Sequence, residues 1–595
     1  MENRLLMGNE AVAMGALEAG VQVVTGYPGT PSTEILETVA RERNENTYVE
    51  WSVNEKVAME VAAGAAYAGA RTLVTMKQVG LNVAADPLMS LTYIGVKGGM
   101  VVAVADDPGP HSSQTEQDTR AFGKFSNLPI FDPSSPQEAY LMIKKAYDLS
   151  QEMGIPVILR LTTRICHSCG TVALENNLKK NDIEGFSKDP RWVIFPKLAY
   201  KRHEWLENLQ TRLSEVFSQS PFNEITGKGR VGIAASGIAH QYVADVLGDR
   251  EDVTLLKVGT PYPFPQRVAI DFLTKVDKVL VIEELDPVIE EALIEASYLY
   301  KSVPIYGKKT NHLPKNGEYS YELLSQVIGK FLDNIKEKDE RVNIPSLPVR
   351  PPTLCAGCAH RASFYAFKEA LKKEKAVFSG DIGCYTLGNA KPLEAVHTCL
   401  CMGAGITIAQ GLQHVEPDTK NVAFIGDSTF FHTGIPGIIN AVYNNVNMTV
   451  VVLDNDTTAM TGHQPHPGIG VTAAGNAAPK VDIEAVAKAC GVQYVKKIDP
   501  YDLEAAIKGA KEAVAFEGVS MVIFERACVV KMRKQNDYVI NRNTCNGCKI
   551  CVNRLGCPAI YMEQDIPTIE ASQCKGCGVC SQICKMHAIE EVAIF

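Results

Sequence analysis

The sequence predicts an α/β protein with three successive parallel-sheet units and a small cysteine-rich α+β module at the C-terminus. Three observations carry this expectation. Short apolar β runs alternate with helical stretches along most of the chain, the pattern of parallel sheets covered on both faces. At 595 residues the chain exceeds what one hydrophobic core organises, so roughly three to five domains are expected. Eight of its 17 Cys crowd between positions 545 and 584.

Composition narrows the class. Apolar residues make up 46% and charged residues 21%, an ordinary globular balance. A net charge of -9 without a dense Lys/Arg run gives nucleic-acid binding no electrostatic support. The first twenty residues carry Glu2, Glu10 and Glu18 and have no long apolar core, unlike a signal peptide. Residues 79–105 are the most apolar long stretch, but Asp86 and Lys97 interrupt it. No segment reaches the ~18 uninterrupted apolar residues of a membrane span. Cysteine abundance without an export signal suits free thiols, metal sites or clusters better than disulfides. A cytoplasmic protein is therefore expected, with no membrane partner.

The elements follow in order. Residues 21–25 form a strand opening into the loop Gly26-Tyr27-Pro28-Gly29-Thr30-Pro31-Ser32. Residues 53–70 read as an Ala-rich helix, with Asn54 as cap and Glu55 in the first turn. Strands are expected at 72–76, 100–105 and 157–161, and residues 171–225 turn charged and irregular. A second unit runs from the strand 231–235 through Ser236-Gly237 into a helix, with a later strand at 278–282. Residues 336–352, charged and then Pro-rich, read as a linker. The third unit has strands at 422–425, 449–453 and 521–524. The expected domains are 1–195, 196–335, 353–530 and 535–595.

The terminal cysteines form two runs. The first is Cys545, Cys548, Cys551 and, after five residues, Cys557-Pro558. The second is Cys574, Cys577, Cys580 and, after three residues, Cys584. Two-residue gaps let three thiolates wrap one cubane, and in two-cluster ferredoxins the fourth Cys of each run reaches the other cluster. The spacing resembles those ferredoxins, which implies one [4Fe–4S] cluster on Cys545, Cys548, Cys551 and Cys584. A second would sit on Cys557, Cys574, Cys577 and Cys580. The first run departs from the usual three-residue final gap, so its loop is longer. Zinc sites usually present two separated ligand pairs, which these runs do not.

A second constellation lies in the third unit. One strand runs into Gly426-Asp427-Ser428, and the next ends in Asp454-Asn455-Asp456-Thr457. Both stand at the carboxyl ends of parallel strands, where open α/β sheets bind ligands. A glycine there lets backbone approach a phosphate, and a following helix offers free N–H groups. Asp427 and Asn455 supply hard oxygen donors suited to Mg²⁺. The pattern resembles the thiamine diphosphate motif, with Ser428 replacing its third glycine. That resemblance implies that Gly426, Asp427, Ser428, Asn455 and Thr457 hold the cofactor. Asp427, the Asn455 side chain and the Thr457 carbonyl would bind Mg²⁺. Thiamine chemistry also needs a buried carboxylate that exchanges a proton with the aminopyrimidine ring. Glu55 fits that role, although read alone a first-turn acid complementing the helix dipole is the plainer reading of it.

The Tyr27–Ser32 loop, the Glu55 helix, the Asp427/Asn455 pair and the terminal clusters occur in one order. Together they are similar to the 2-oxoacid:ferredoxin oxidoreductases, within them the indolepyruvate class, over essentially the whole chain. The resemblance implies transketolase-like thiamine domains at both ends of the α/β part and a transketolase-C-like domain between them. It implies Glu55 as the pyrimidine-contacting acid and Thr30 as a substrate-side residue. His111, in His111-Ser112-Ser113-Gln114, is a further candidate for the pocket. It implies oxidative decarboxylation of aryl 2-oxoacids with coenzyme A, a separate small beta subunit, and external ferredoxin as electron acceptor. Larger relatives also hold a proximal cluster, with cysteines at places matching Cys355, Cys358, Cys384 and Cys528; small core thiols are the alternative. Cys166-His-Ser-Cys169 reads as a plain loop. Two rival readings stay in view. A non-oxidative thiamine enzyme has no use for the terminal cysteines, and a pure electron carrier has no use for Glu55, Asp427 and Asn455 together. Pyruvate or a branched-chain oxoacid is an alternative substrate.

Overall fold

The computed structural model describes residues 2–332, 347–348 and 350–592. The linker expected at 336–352 falls largely outside the described residues. The chain divides into two compact units, Met1–Val342 and Asn343–Phe595.

The first unit holds two large sheets. In the first sheet the spatial order is Tyr48–Trp51, Val23–Gly26, Thr72–Lys77, Met100–Asp106, Val157–Thr162 and Ile130–Phe131. All these pairings are parallel. Met100–Asp106 and Val157–Thr162 are buried at every residue. Their near-continuous apolar character, rather than an alternating one, marks strands covered on both faces. The helix Glu55–Tyr67 lies against this sheet, where Thr25 Oγ1 donates to the Ala58 carbonyl at 2.8 Å. The second sheet orders Ile305–Tyr306, Lys278–Ile282, Val231–Ala235, Val253–Val258 and Asn223–Thr226. Only the last strand runs antiparallel.

A buried charge network joins the two sheets. Arg160 pairs with Asp106 at 2.8 Å and Asp132 at 3.1 Å. Arg120 pairs with Asp118 at 2.6 Å and with Glu283, at the end of the second sheet, at 2.7 Å. Such buried pairs hold only when both partners are present.

Two features differ from the sequence expectation. Glu2–Met7 is a strand, paired antiparallel with Cys169–Leu174; that pairing spans more than 160 positions and no local pattern announces it. Within the stretch read as irregular lies the helix Pro196–Ser218. Only Leu206, Leu209, Leu213 and Phe217 are buried on it, a narrow stripe that its charged faces obscure. Cys166 is buried in a short helix, and Cys169 opens the strand paired to Met7.

The second unit is built on a fully parallel five-stranded sheet. Its order is Ala376–Ser379, Lys420–Gly426, Met448–Asp454, Val519–Glu525 and Tyr494–Ile498. Its two faces carry separate apolar cores, one around Phe364, Phe367, Phe424 and Phe524 and the other around Ile406, Ile425, Phe430 and Ile438. The terminal module packs onto this unit through its own core of Leu555, Ile560, Val579 and Ile583 with Ala362 and Leu503. It contains two antiparallel ribbons, Asp537–Ile540 with Ile589–Val592 and Ile560–Glu563 with Ile566–Ile569.

Candidate active site and cluster sites

In the first unit the expected residues gather at the carboxyl ends of the parallel strands. Asn54 caps the Glu55 helix, its Oδ1 accepting from the Val57 N–H at 2.9 Å. Glu55 is buried and lies over Gly80, where a Cβ would stand 2.5 Å from its Oε1. Thr30 lies in the loop after Val23–Gly26, and its carbonyl accepts from Ser112 Oγ at 3.1 Å. Ser112 also accepts from Lys77 Nζ through its carbonyl, at 3.3 Å, and its N–H is held by Asp107 at 2.8 Å. Burial lowers the Lys77 ammonium, against the opposing pull of Asp107 and Glu55. Thr30, Lys77 and Ser112 therefore form one group, with Glu55 close to Lys77. His111 takes a different partner. It is half-exposed, and its Nε2 lies 3.2 Å from Glu318 Oε2.

In the second unit Asp427 is buried at the end of Lys420–Gly426. Its carboxylate accepts from the N–H groups of Ser428 at 2.8 Å, Asn455 at 3.1 Å and Thr457 at 3.3 Å. His466 Nε2 lies 3.1 Å away. Burial alone would raise this carboxyl, but the His466 contact and the backbone donors leave it below its usual range. Burial and then the Asp427 charge push Asp454 up to about 7. The Asn455 side-chain amide meets His360 Nε2 at 3.2 Å, and burial pushes His360 down to about 4. A neutral imidazole accepts that N–H. Among the described residues the other amide atom, Asn455 Oδ1, is buried without a hydrogen-bond partner. An orphaned carbonyl oxygen beside a buried carboxylate is a donor set that fits a hard divalent cation. Ser428 Oγ accepts from Thr458 Oγ1 at 3.1 Å, tying the two strand ends together.

A Cβ at Gly426 would stand 2.7 Å from the Tyr385 ring, so the glycine makes room for an aromatic side chain. Sequence reasoning missed Asp381, His360 and His466. Asp381 accepts from Ile382, Gly403 and Gly405 N–H groups and anchors the start of the helix Ala404–Val415. Burial pushes it up to about 6. Gly380-Asp381 follows a strand just as Gly426-Asp427 does, a repeat that was available as a signal. His466 had none, because it arrives from a distant loop.

Cys355, Cys358, Cys384 and Cys528 line one cavity of about 130 Å³, together with His360 and Asn455. Cys528 follows the strand Val519–Glu525, and its N–H donates to the Asn455 carbonyl at 2.9 Å. Burial raises Cys358 to about 12 and Cys384 to about 11, with the neighbouring thiols adding to both. Cys557, Cys574, Cys577 and Cys580 line a second cavity, which Cys358 also borders. Burial raises Cys577 to about 11, and Cys557 and Cys574 act on it further. Cys551 is likewise raised to about 11 by burial, with Cys548 and Cys545 nearby. Cys584 Sγ accepts from the Ala588 N–H at 3.3 Å. The lengthened gap before Cys557 continues a turn that starts at Cys551 and runs to Leu555, and Gly556 closes it at φ 63°. Among the described residues no three His, Cys, Asp or Glu side chains are arranged for a single metal ion. A cubane is several ångströms across, so its thiolates surround a cavity rather than a point.

Residues 14–199 match the family described as pyruvate flavodoxin/ferredoxin oxidoreductase, thiamine diP-bdg. Residues 381–524 match the thiamine pyrophosphate enzyme, C-terminal TPP binding domain. Two parts of the chain are thus thiamine diphosphate-binding domains. The chain is 43% identical to the indolepyruvate oxidoreductase subunit IorA of Thermococcus kodakarensis, covering 99% of this chain and 97% of that one. It is 42% identical to the subunit of that name from Pyrococcus horikoshii and 40% identical to that of Archaeoglobus fulgidus, each with the same coverage. The chain belongs to the indolepyruvate oxidoreductase IorA subunits, a family of 2-oxoacid:ferredoxin oxidoreductases.

Proposed function

We propose that this chain catalyses thiamine diphosphate-dependent oxidative decarboxylation of aryl 2-oxoacids of the indolepyruvate class. The products are acyl-CoA and CO₂, and the electrons leave through [4Fe–4S] clusters to ferredoxin. The observation that carries the reading is the shared wall of the cysteine cavity. Asn455 belongs to the cation site and, with His360, also lines the cavity of Cys355, Cys358, Cys384 and Cys528. Cys358 in turn borders the cavity of Cys557, Cys574, Cys577 and Cys580. A non-oxidative decarboxylase has no use for that continuity.

Each residue has an assigned task. Asp427, Asn455 Oδ1 and the Thr457 carbonyl bind Mg²⁺, and Gly426 and Ser428 border the diphosphate. Glu55 is the residue that would hold the proton exchanged with the pyrimidine ring when the cofactor is bound. Thr30 contacts substrate. His111, the further candidate for the pocket, is held by Glu318. When bound, thiamine diphosphate supplies the electron sink for loss of CO₂. Cys355, Cys358, Cys384 and Cys528 hold a proximal cluster. Cys557, Cys574, Cys577 and Cys580 hold the next. Cys545, Cys548, Cys551 and Cys584 hold the last, where Cys548 is exposed. A small beta subunit completes the enzyme in the cytoplasm. No helix among the described residues is long and apolar enough to cross a membrane.

The test is anaerobic purification with the beta subunit, iron and thiamine analysis, and a 2-oxoacid panel with coenzyme A and a one-electron dye. Aryl pyruvates are expected to turn over fastest. Preference for pyruvate would refute the substrate class, and thiamine without iron would refute the oxidative reading.

A further inference from the structure

Arg361 sits in the first turn of the helix Ala359–Ala370, three residues after Cys358, and only 5% of it is exposed. One terminal nitrogen donates to the carbonyls of Leu555 at 2.9 Å and Gly556 at 2.7 Å. The other donates to the Leu354 carbonyl at 2.8 Å. Those three acceptors are neutral. Among the described residues no Asp or Glu forms an ion pair with it, and its Nε–H is buried without a partner. A buried charge without a counter-charge is strongly disfavoured, and so is an unsatisfied buried donor. Arg361 also lines the cavity of Cys557, Cys574, Cys577 and Cys580. Burial pulls the guanidinium below its usual range, opposed by the thiols of Cys557, Cys358, Cys355 and Cys577.

We infer that Arg361 is the counter-ion and hydrogen-bond donor of the cluster on Cys557, Cys574, Cys577 and Cys580, with Nε–H directed to a cluster sulfur. The inference rests on the cluster reading above. A cubane with four thiolates is a dianion when oxidised and a trianion when reduced. A fixed guanidinium therefore favours the reduced form and raises the reduction potential, as hydrogen bonds to cluster sulfurs do. By holding Leu555 and Gly556, Arg361 also sets the position of the lengthened loop that delivers Cys557. It is thus a positioning residue for electron transfer. It biases the electron from the cavity next to Asn455 onto the tail.

The test uses the full chain with its beta subunit, assembled anaerobically and labelled with ¹⁵N-arginine. Pulsed EPR of the reduced wild-type enzyme should show a weak ¹⁵N coupling at one cluster. Arg361→Lys should abolish it while keeping the charge. In redox-poised EPR titrations, Arg361→Gln should lower the reduced-to-oxidised ratio of that cluster about tenfold at fixed poise. That is ~59 mV for a one-electron couple. The last cluster should be unmoved. Absence of arginine coupling in wild type overturns the inference, and so does an unshifted midpoint in a fully loaded Arg361→Gln. If Arg361→Gln fails to assemble, the labelling result alone decides. Wild-type enzyme without iron would instead refute the cluster reading itself.

Discussion

Gly80→Ala tests the proposed role of Glu55 without touching its side chain. Gly80 lies in the short helix Gln78–Val83, where alanine is the better helix former by roughly 1 kcal/mol. Yet a Cβ at Gly80 would stand 2.5 Å from Glu55 Oε1, 2.8 Å from its Cγ and 2.9 Å from its Cδ, whereas ordinary contact begins at 3.4 Å. The carboxylate must retreat by about 0.9 Å, the difference between 3.4 and 2.5 Å. A displacement near 1 Å at a catalytic group costs up to about 10²-fold in rate. We expect kcat to fall about 10- to 100-fold while the melting temperature holds or rises. The assay is anaerobic turnover of an aryl 2-oxoacid with coenzyme A and a viologen dye. It is paired with NMR-quenched exchange of the cofactor C2 proton, which should slow in proportion. Gly64→Ala is the control, because a Cβ there meets nothing within 4 Å; it should leave kcat unchanged. A folded Gly80→Ala enzyme with wild-type kcat and wild-type proton exchange would refute the assignment of Glu55.

Three further outcomes are expected. Cys358→Ser should remove one cubane of iron and leave two, counted by iron analysis and EPR; unchanged iron would make Cys358 a plain core thiol. Burial and then the Lys257 charge push His240 down to about 4 in the folded protein, opposed by Glu138. Against an unfolded value near 6.5, this group's stabilising contribution is present above pH 6.5 and is lost as pH falls toward 4, about 2 kcal/mol by pH 5. His240→Leu should therefore flatten the fall in melting temperature between pH 7 and 5, and an unchanged slope would contradict this. Arg120→Met would leave Asp118 and Glu283 buried without their cation. Denaturant titration should show a loss of about 3–5 kcal/mol, and a change below about 1 kcal/mol would mean that the network relaxes.

Strands such as Val231–Ala235 and Lys278–Ile282 are legible because their apolar runs are continuous and bounded by turn residues. The cap at Asn54 is legible for the same local reason, since one side chain and one N–H three residues on make it. The strand Glu2–Met7 is not, because its partner lies far along the chain. The helix Pro196–Ser218 hides behind its charged faces. At Gly426 the missing Cβ also leaves room for the Tyr385 ring, a packing reason that no local pattern shows.

Spacing is a local property, so the sequence alone determined which cysteines group in the tail and which residues form the Asp427/Asn455 pair. It also determined the parallel-sheet class, whose periodicity is written every few residues. Only the tertiary structure decided what stands beside them. His466 reaches Asp427 from a distant loop, His360 engages the Asn455 side-chain amide while Asn455 Oδ1 stays without a partner among the described residues, and Cys528, grouped with Cys355, Cys358 and Cys384 only by the family resemblance, lines one cavity with them. Parallel strands bring their carboxyl ends to one edge whatever the sequence distance between them. Residues that no motif connects therefore converge there, and their charges and burial acquire meaning only once the sheet has formed.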